Sequence, residues 1–346
     1  MLRGKSRFEM NEKPLIRSLN HRLFVKAVRE ADLEKYSVDV LKKFLFKIGI
    51  TNFDEVTTFS KNAREWLNSH FDAGLPKVLE RLRSKDETIK LLLDCNGAKS
   101  ESVLMNSRGK RTACISVQSG CKLNCVFCAT GKLGFFRNLS FGEILDQVLI
   151  LRGDASIDRI VVMGMGEPMD NLDEVIPALH FLTSKDGYGY SRKRITLSTV
   201  GIVPGIERLA DSGVGVELAI SLHAVDDNVR SAIIPMNSKY NIEDVLKASK
   251  LYASKANSKV TIEYLLLQDI NNSEDDAVKL GRISRKYLMP INLIVFNPTE
   301  GIEFEPADNL ERFTKIVSDN AIAVTVRRSK GKEISAACGQ LVMRGA

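Results

Sequence analysis

This 346-residue sequence predicts an α/β fold built on an incomplete (β/α)6 barrel. Three patterns carry that expectation. From residue 112 onward, short β-branched runs alternate with helical patterns, as strand–helix units of a parallel sheet do. Residues 87–117 show period-2 alternation instead, which reads as strands. Residues 1–85 carry helical spacing and form a separate unit. The expected organisation is therefore a small helical domain (1–85), a strand extension (86–117) and the barrel (118–346).

The elements follow in order. In 37–50, Val40, Leu41, Phe44, Leu45 and Ile48 recur at helical spacing behind Ser37. Residues 60–71 and 75–84 read as two further helices. Strands are expected over 88–95, 101–106 and 112–118, the last two joined by a turn at 107–111. Ser140 and Glu143 make a capping box for a helix over 140–151. Strands then fall at 158–164, 194–199, 216–222, 260–267 and 291–297. Helices lie near 172–184, 204–212, 242–255, 273–287 and 308–319, and a final strand covers 323–329. No internal repeat or low-complexity stretch interrupts this alternation.

Apolar residues make up 44% of the chain, enough for a substantial core. No apolar run approaches the roughly 18 residues of a membrane span. Arg17, Arg22, Lys26 and Arg29 interrupt the N-terminal region, so residues 1–30 read as a basic arm and not a secretory signal. The expected location is the cytoplasm. A net charge of +7 is compatible with a polyanionic partner. Six cysteines in such a chain point to metal or redox chemistry before a disulfide framework.

Cys121, Cys125 and Cys128 form a C-x3-C-x2-C run. Zinc normally takes four closed ligands, often two distant pairs. A four-iron, four-sulfur (4Fe–4S) cluster held by three thiolates leaves one iron open to a small molecule. A zinc site with a distant fourth ligand is the alternative. Other unusual residues sit where strands end: 164–168 (GMGEP), 198–201 (STVG), 221–223 (SLH) and 296–298 (FNP). In an α/β barrel the site lies at the carboxyl ends of the strands, so these motifs share one rim.

From about residue 87 onward the chain resembles the RlmN group of radical S-adenosylmethionine (SAM) enzymes, whose near relative is Cfr. The matching runs are CISVQSGCKLNCVFCATGKLGFFRNLS, VVMGMGEPMDNL, RITLSTVGIVPGI, LAISLHA, YNIEDVLKA, INLIVFNP and AACGQL. The resemblance implies methylation of adenine C2 in 23S rRNA and in the tRNA anticodon loop. It implies a 4Fe–4S cluster on Cys121, Cys125 and Cys128, with SAM on its open iron. Gly166, Glu167, Ser198, Ser221, Leu222, His223 and Asn297 match the positions that contact SAM. Cys338 matches the cysteine that carries the methyl group as S-methylcysteine. Cys114 matches the cysteine that resolves the RNA adduct through a transient disulfide, and Glu101 matches the proton acceptor. The first 85 residues match poorly, although a small RNA-binding helical domain stands there in the family. An electron donor is implied as a partner, and a monomer is expected.

Two other functions are compatible with parts of this pattern. Adenine C8 methylation, as in Cfr, fits less well with Pro168 and with the AISLHA run. A non-catalytic iron–sulfur RNA-binding protein would need neither Cys114 nor Cys338. Lys132, Arg137, Arg192, Lys193, Arg194 and the basic run 327–332 are expected to face RNA, with Phe135 and Phe136 stacking on a base. Cys95 has no assigned role.

Overall fold

The computed structural model describes residues 13–31, 37–107, 109–327 and 329–342. The basic arm expected over 1–30 lies partly outside them, as does Arg328. Helices α1 (His21–Glu30), α2 (Ser37–Lys43) and α3 (Lys61–His70) form the N-terminal unit, and a π-helical turn (Phe44–Ile48) extends α2. Asn20 and Ser60 cap α1 and α3 by accepting backbone N–H groups.

Four antiparallel strands follow: β1 (Lys77–Arg83), β2 (Ile89–Cys95), β3 (Ala98–Ser107) and β4 (Lys110–Cys114). Strand β1 corrects the helix expected over 75–84. Its apolar residues suit either period, so the partner decides. Leu91, Leu92 and Leu93 bury β2, and the backbone on its free edge must find hydrogen bonds.

A small hairpin, β5 (Gln118–Gly120) with β6 (Phe135–Asn138), encloses the cysteine run and the short helix α4 (Ala129–Lys132). Helix α5 (Phe141–Asp154) carries the expected Ser140/Glu143 capping box. Then come β7 (Arg159–Val162), α6 (Leu172–Thr183), β8 (Ile195–Thr199), α7 (Val203–Asp211), β9 (Glu217–Ser221), α8 (Asp227–Ile233) and α9 (Ile242–Ala256). Strand β10 (Val260–Leu266), α10 (Glu274–Tyr287), β11 (Ile291–Val295), α11 (Leu310–Asn320) and β12 (Val324–Arg327) complete the chain. The sheet runs β1-β2-β3-β4-β7-β8-β9-β10-β11-β12, and every pairing from β4 to β12 is parallel. One cavity is lined from Met105 on β3 round to Arg327 on β12, so the sheet curves into a barrel wall.

The N-terminal unit is bolted to this barrel. Arg17 is fully buried and pairs with Asp146 of α5 at 2.6 Å. It also donates to the carbonyls of Leu45, Ile50 and Ala73 at 2.8–2.9 Å. Glu174 of α6 accepts the N–H groups of His21 and Phe141, both at 2.9 Å. Phe24 and Phe46 pack edge-on against Phe141. Burial pushes the Asp146 carboxyl up to about 6, against the pull of Arg17. Breaking one partner of a buried pair strands the other. Arg17→Ala should therefore lower unfolding free energy by about 3–5 kcal/mol, measured by urea denaturation. A loss near zero would mean that the apolar contacts alone hold the unit.

Candidate active site

The loop that carries the thiols is held by its own backbone. Cys121 N–H donates to Gly134 O at 2.9 Å, Cys128 N–H to Cys125 O at 3.1 Å, and Val126 N–H to Ile233 O at 3.1 Å. Cys121, Cys125 and Cys128 all line the cavity. Burial is the main force on all three thiols. It lifts Cys121 to about 12 and raises Cys125 and Cys128 as well; the charge of Cys128 adds to the rise at Cys121 and Cys125, and that of Cys338 to the rise at Cys128. Such a triad ionises only if a bound cation compensates. Among the described residues, no three His, Cys, Asp or Glu side chains converge tightly enough to hold a single metal ion.

The 164–168 motif is strapped to this loop through Gln118. Its Oε1 accepts Glu167 N–H at 2.9 Å, and its Nε2 donates to Asp170 and Asn138 at 2.8 Å. Gly166 has φ +95°, and a Cβ there would lie 2.5 Å from Gln118 Cβ. Only glycine fits both constraints. Glu167 is buried, with Oε1 accepting from Met169 N–H and Oε2 from Val200 N–H at 3.0 Å. These bonds favour ionisation, yet burial outweighs them and lifts its carboxyl to about 7.

Ser198 and Ser221 lie 3.3 Å apart, oxygen to oxygen, on β8 and β9. His223 adopts φ +59°. Its Nδ1 accepts Leu265 N–H at 3.0 Å, so the ring proton sits on Nε2. Burial, then the charge of Arg230, holds its pKa down to about 3 and keeps it neutral. Glu263 Oε2 faces the same cavity, buried and without a hydrogen-bond partner. Asn297 Oδ1 is also buried and unpartnered, while its Nδ2 lies 3.4 Å from Cys338 O. Three thiols, a glycine turn and orphaned acceptors fit a metal–sulfur cluster beside a ligand that carries amine and hydroxyl groups.

Cys114, at the end of β4, and Cys338, on the C-terminal loop, line this cavity together. Burial, then Cys338, pushes the Cys114 thiol up to about 12, against the pull of Arg327. Of the residues singled out from sequence, Cys114, Cys121, Cys125, Cys128, Gly166, Glu167, Ser198, Ser221, His223 and Cys338 line one cavity. Three others lie off its lining. Leu222 is buried in the main core, and Asn297 stands behind Cys338. Glu101 is buried beneath the C-terminal loop, where it accepts Val342 N–H at 2.9 Å and meets Lys90 at 3.1 Å.

The basic residues expected to face RNA divide. Arg192–Arg194 precede β8, at the opposite end of the barrel from the cavity. At about 3.3 Å per residue, this strand sets them roughly 15 Å from the rim. Arg327 lines the cavity near Cys338, Glu263 and Cys114 instead of facing outward. Arg137 is bound to both oxygens of Glu143, and Lys132 to Gly301 O. Phe136 is 62% exposed and Phe135 39%, with the Lys122 ammonium 5.1 Å from the Phe135 ring centre.

Sequence reasoning missed Arg230. Its buried guanidinium donates to the carbonyls of Leu222, Val200 and Ser221 at the tips of β8 and β9, and it lies near Cys125. An arginine within an ordinary helical pattern carries no local sign of this.

The chain matches the radical SAM superfamily over residues 115–281. The dual-specificity RNA methyltransferase RlmN of Francisella tularensis subsp. novicida is 41% identical over 322 residues, 89% of this chain and 87% of its own. The chain belongs to the RlmN family of radical SAM enzymes. Its fold agrees with a crystal structure of a radical SAM methyltransferase from Sphaerobacter thermophilus. That match has TM-score 0.85 and 33% identity, and covers 96% of this chain and 100% of that one. The maturase HydG shares the fold alone, at 14% identity and TM-score 0.50, over 66% of this chain and 54% of its own.

In this RlmN-family chain Glu167 tests the electrostatics of the site. Its folded value of about 7 stands above the ordinary 4.5, so the folded state holds the proton longer. Its contribution is fully present below pH 4.5 and is lost as pH rises through 7. Glu167→Gln should flatten the fall in stability across this window, read as the urea midpoint against pH. An unchanged slope would mean that Glu167 is ionised throughout.

Proposed function

We propose that the chain methylates C2 of an adenine in 23S rRNA and C2 of an adenine in the tRNA anticodon loop. One observation carries this reading: two thiols outside the triad, Cys114 and Cys338, share the triad's cavity. Binding alone would need neither. The relatives at 41% identity are named dual-specificity RNA methyltransferases, which supports RNA as the substrate class. Cys121, Cys125 and Cys128 would hold a 4Fe–4S cluster. Gly166, Glu167, Ser198, Ser221 and His223, which line the cavity, would hold SAM, with Leu222 and Asn297 backing them from behind the lining. When bound, this pair supplies reductive cleavage of SAM and the hydrogen abstraction that follows.

Adenine C2 is electrophilic, so it cannot displace a methyl group from SAM itself. Cys338, as its thiolate, takes the methyl first, and S-adenosylhomocysteine departs. Once that carbon has given up a hydrogen atom it adds to C2, and enzyme and RNA are linked through the Cys338 sulfur. The C2 proton and the unpaired electron then leave, the electron to the oxidised one-electron partner, and the ring is aromatic again. Glu101 receives this proton on Oε1, which faces Lys90 but accepts no hydrogen bond, while Oε2 keeps the Val342 amide. Cys114 sulfur then attacks Cys338 sulfur. The S–C bond breaks, its electron pair goes to the departing carbon, and that carbon takes a proton. The thiols end as a disulfide, which a reducing cytosol reopens.

Phe136 and Phe135 offer stacking faces for a neighbouring base. A one-electron donor completes the partners, and the chain acts as a monomer in the cytoplasm. Among the described residues, no helix is long and apolar enough to cross a membrane.

The order of the steps gives the test. Cys114→Ala should form the RNA link and fail to release it. The product is a covalent protein–RNA band on a denaturing gel that nuclease trims to a small remnant. Cys338→Ala should give neither band nor methylated RNA, and the double variant should behave like Cys338→Ala. Free turnover by Cys114→Ala without the band would remove Cys114 from the reaction.

A further inference from the structure

Cys338 sits on a loop with no strand of its own, so something else must set its position. Both ends of that loop are tied to the antiparallel extension. At the far end, Val342 N–H donates to Glu101 of β3 at 2.9 Å. At the near end, Gly331 N–H donates to Asp86 Oδ2 at 3.1 Å, in the turn between β1 and β2. Between them, Cys338 O meets Asn297 Nδ2 at 3.4 Å. Gly339 O accepts Ala129 N–H at 2.9 Å, Leu341 O accepts the Thr130 hydroxyl at 2.8 Å, and Gln340 Nε2 donates to Pro298 O at 2.9 Å. Residues 339–341 are thus held by the barrel, and the chain before Cys338 by the extension.

The Asp86 turn is built to hold. Its Oδ1 accepts Thr88 N–H at 3.1 Å and the Ser84 hydroxyl. Lys330 Nζ stands 4.0 Å from Oδ2. Burial pushes the Asp86 carboxyl up, but bonds from Ser84, Thr88 and Gly331 outweigh it and bring the carboxyl to about 2. Asp86 is therefore a full anion at any working pH. Gly331 answers this grip with φ +63°. A Cβ on it would lie 2.8 Å from Thr88 Cγ2 and 2.9 Å from Ala336 Cβ. The loop reverses directly after this contact, with Ala336 N–H returning to Gly331 O at 3.0 Å.

We propose that Asp86 is a positioning residue, which anchors Gly331 and so holds Cys338 where its carbon can be passed to the adenine. The proposal rests on the methyl-carrying role of Cys338 given above. Asp86 lies outside the cavity lining, so its effect on Cys338 runs through Gly331. If the anchor is lost, SAM cleavage continues while the carbon on Cys338 is presented less often. The consequence is uncoupling, not simple loss of enzyme.

The experiment uses the cluster-loaded full chain, SAM, a chemical reductant and a 23S rRNA fragment. It compares wild type, Asp86→Ala and Asp86→Asn. In Asp86→Ala, 5′-deoxyadenosine formed per methylated adenine should rise by about tenfold, the effect of one lost charge-assisted hydrogen bond. Asp86→Asn keeps an acceptor for Gly331 N–H and should restore most of the coupling. Partial unfolding would lower both products together and leave their ratio unchanged. Hydrogen exchange without RNA gives an independent arm: amides of 331–342 should exchange about tenfold faster in Asp86→Ala, with β10 unaffected. A wild-type ratio in Asp86→Ala, or unchanged exchange in 331–342, would overturn the proposal. A wild-type chain that methylates no RNA would sink the parent reading instead, and the exchange arm would still decide the anchor.

Discussion

The working end of this molecule depends on how an open barrel is closed. Strands β1 and β12 stand at opposite ends of one sheet order and do not pair. The gap is bridged by the chain after β12, which crosses to the antiparallel extension and is received by buried or half-buried carboxylates. Glu101 takes Val342, Asp86 takes Gly331, and Lys90 links Glu101 to the carbonyl of Ser335. The extension thus does more than lengthen the sheet. It supplies fixed charges to a segment that has no ladder of its own, and that segment carries Cys338.

This closure also sets the chemistry of the cavity. Burial opposes ionisation of Cys114, of the triad and of Glu167. Two guanidiniums work the other way. Arg230 secures the tips of β8 and β9 near Cys125, and Arg327 enters from the end of β12 beside Cys114 and Cys338. The ionisable groups of the site are buried, with its cations placed beside sulfur. Such a setting strengthens every charge interaction within it and leaves buried acceptors ready for a ligand.

The N-terminal unit joins the same core through another buried charge pair. Arg17 and Asp146 are enclosed by Phe24, Phe46 and Phe141, so this unit cannot swing freely against α5. Whatever surface it presents is therefore held at a set angle to the cavity.

Much of this was legible without coordinates. Strand–helix alternation follows from local periodicity, and it puts Cys121, Gly166, Ser198, Ser221 and His223 after strands, hence at one rim. The C-x3-C-x2-C spacing limits its ligands by geometry alone, and AACGQL marks Cys338 by resemblance. What tertiary structure decided are the matters where local pattern is neutral. Residues 77–83 suit helix or strand, and the unpaired edge of β2 made them strand. Arg192–Arg194 and Arg327 look alike as basic residues. Strand direction sends the first group to the far end of the barrel, and the curvature of the sheet turns Arg327 inward. Glu101 and Asp86 are ordinary acids in sequence. They become anchors only because β12 ends opposite them, and a contact across some 240 residues leaves no local signature.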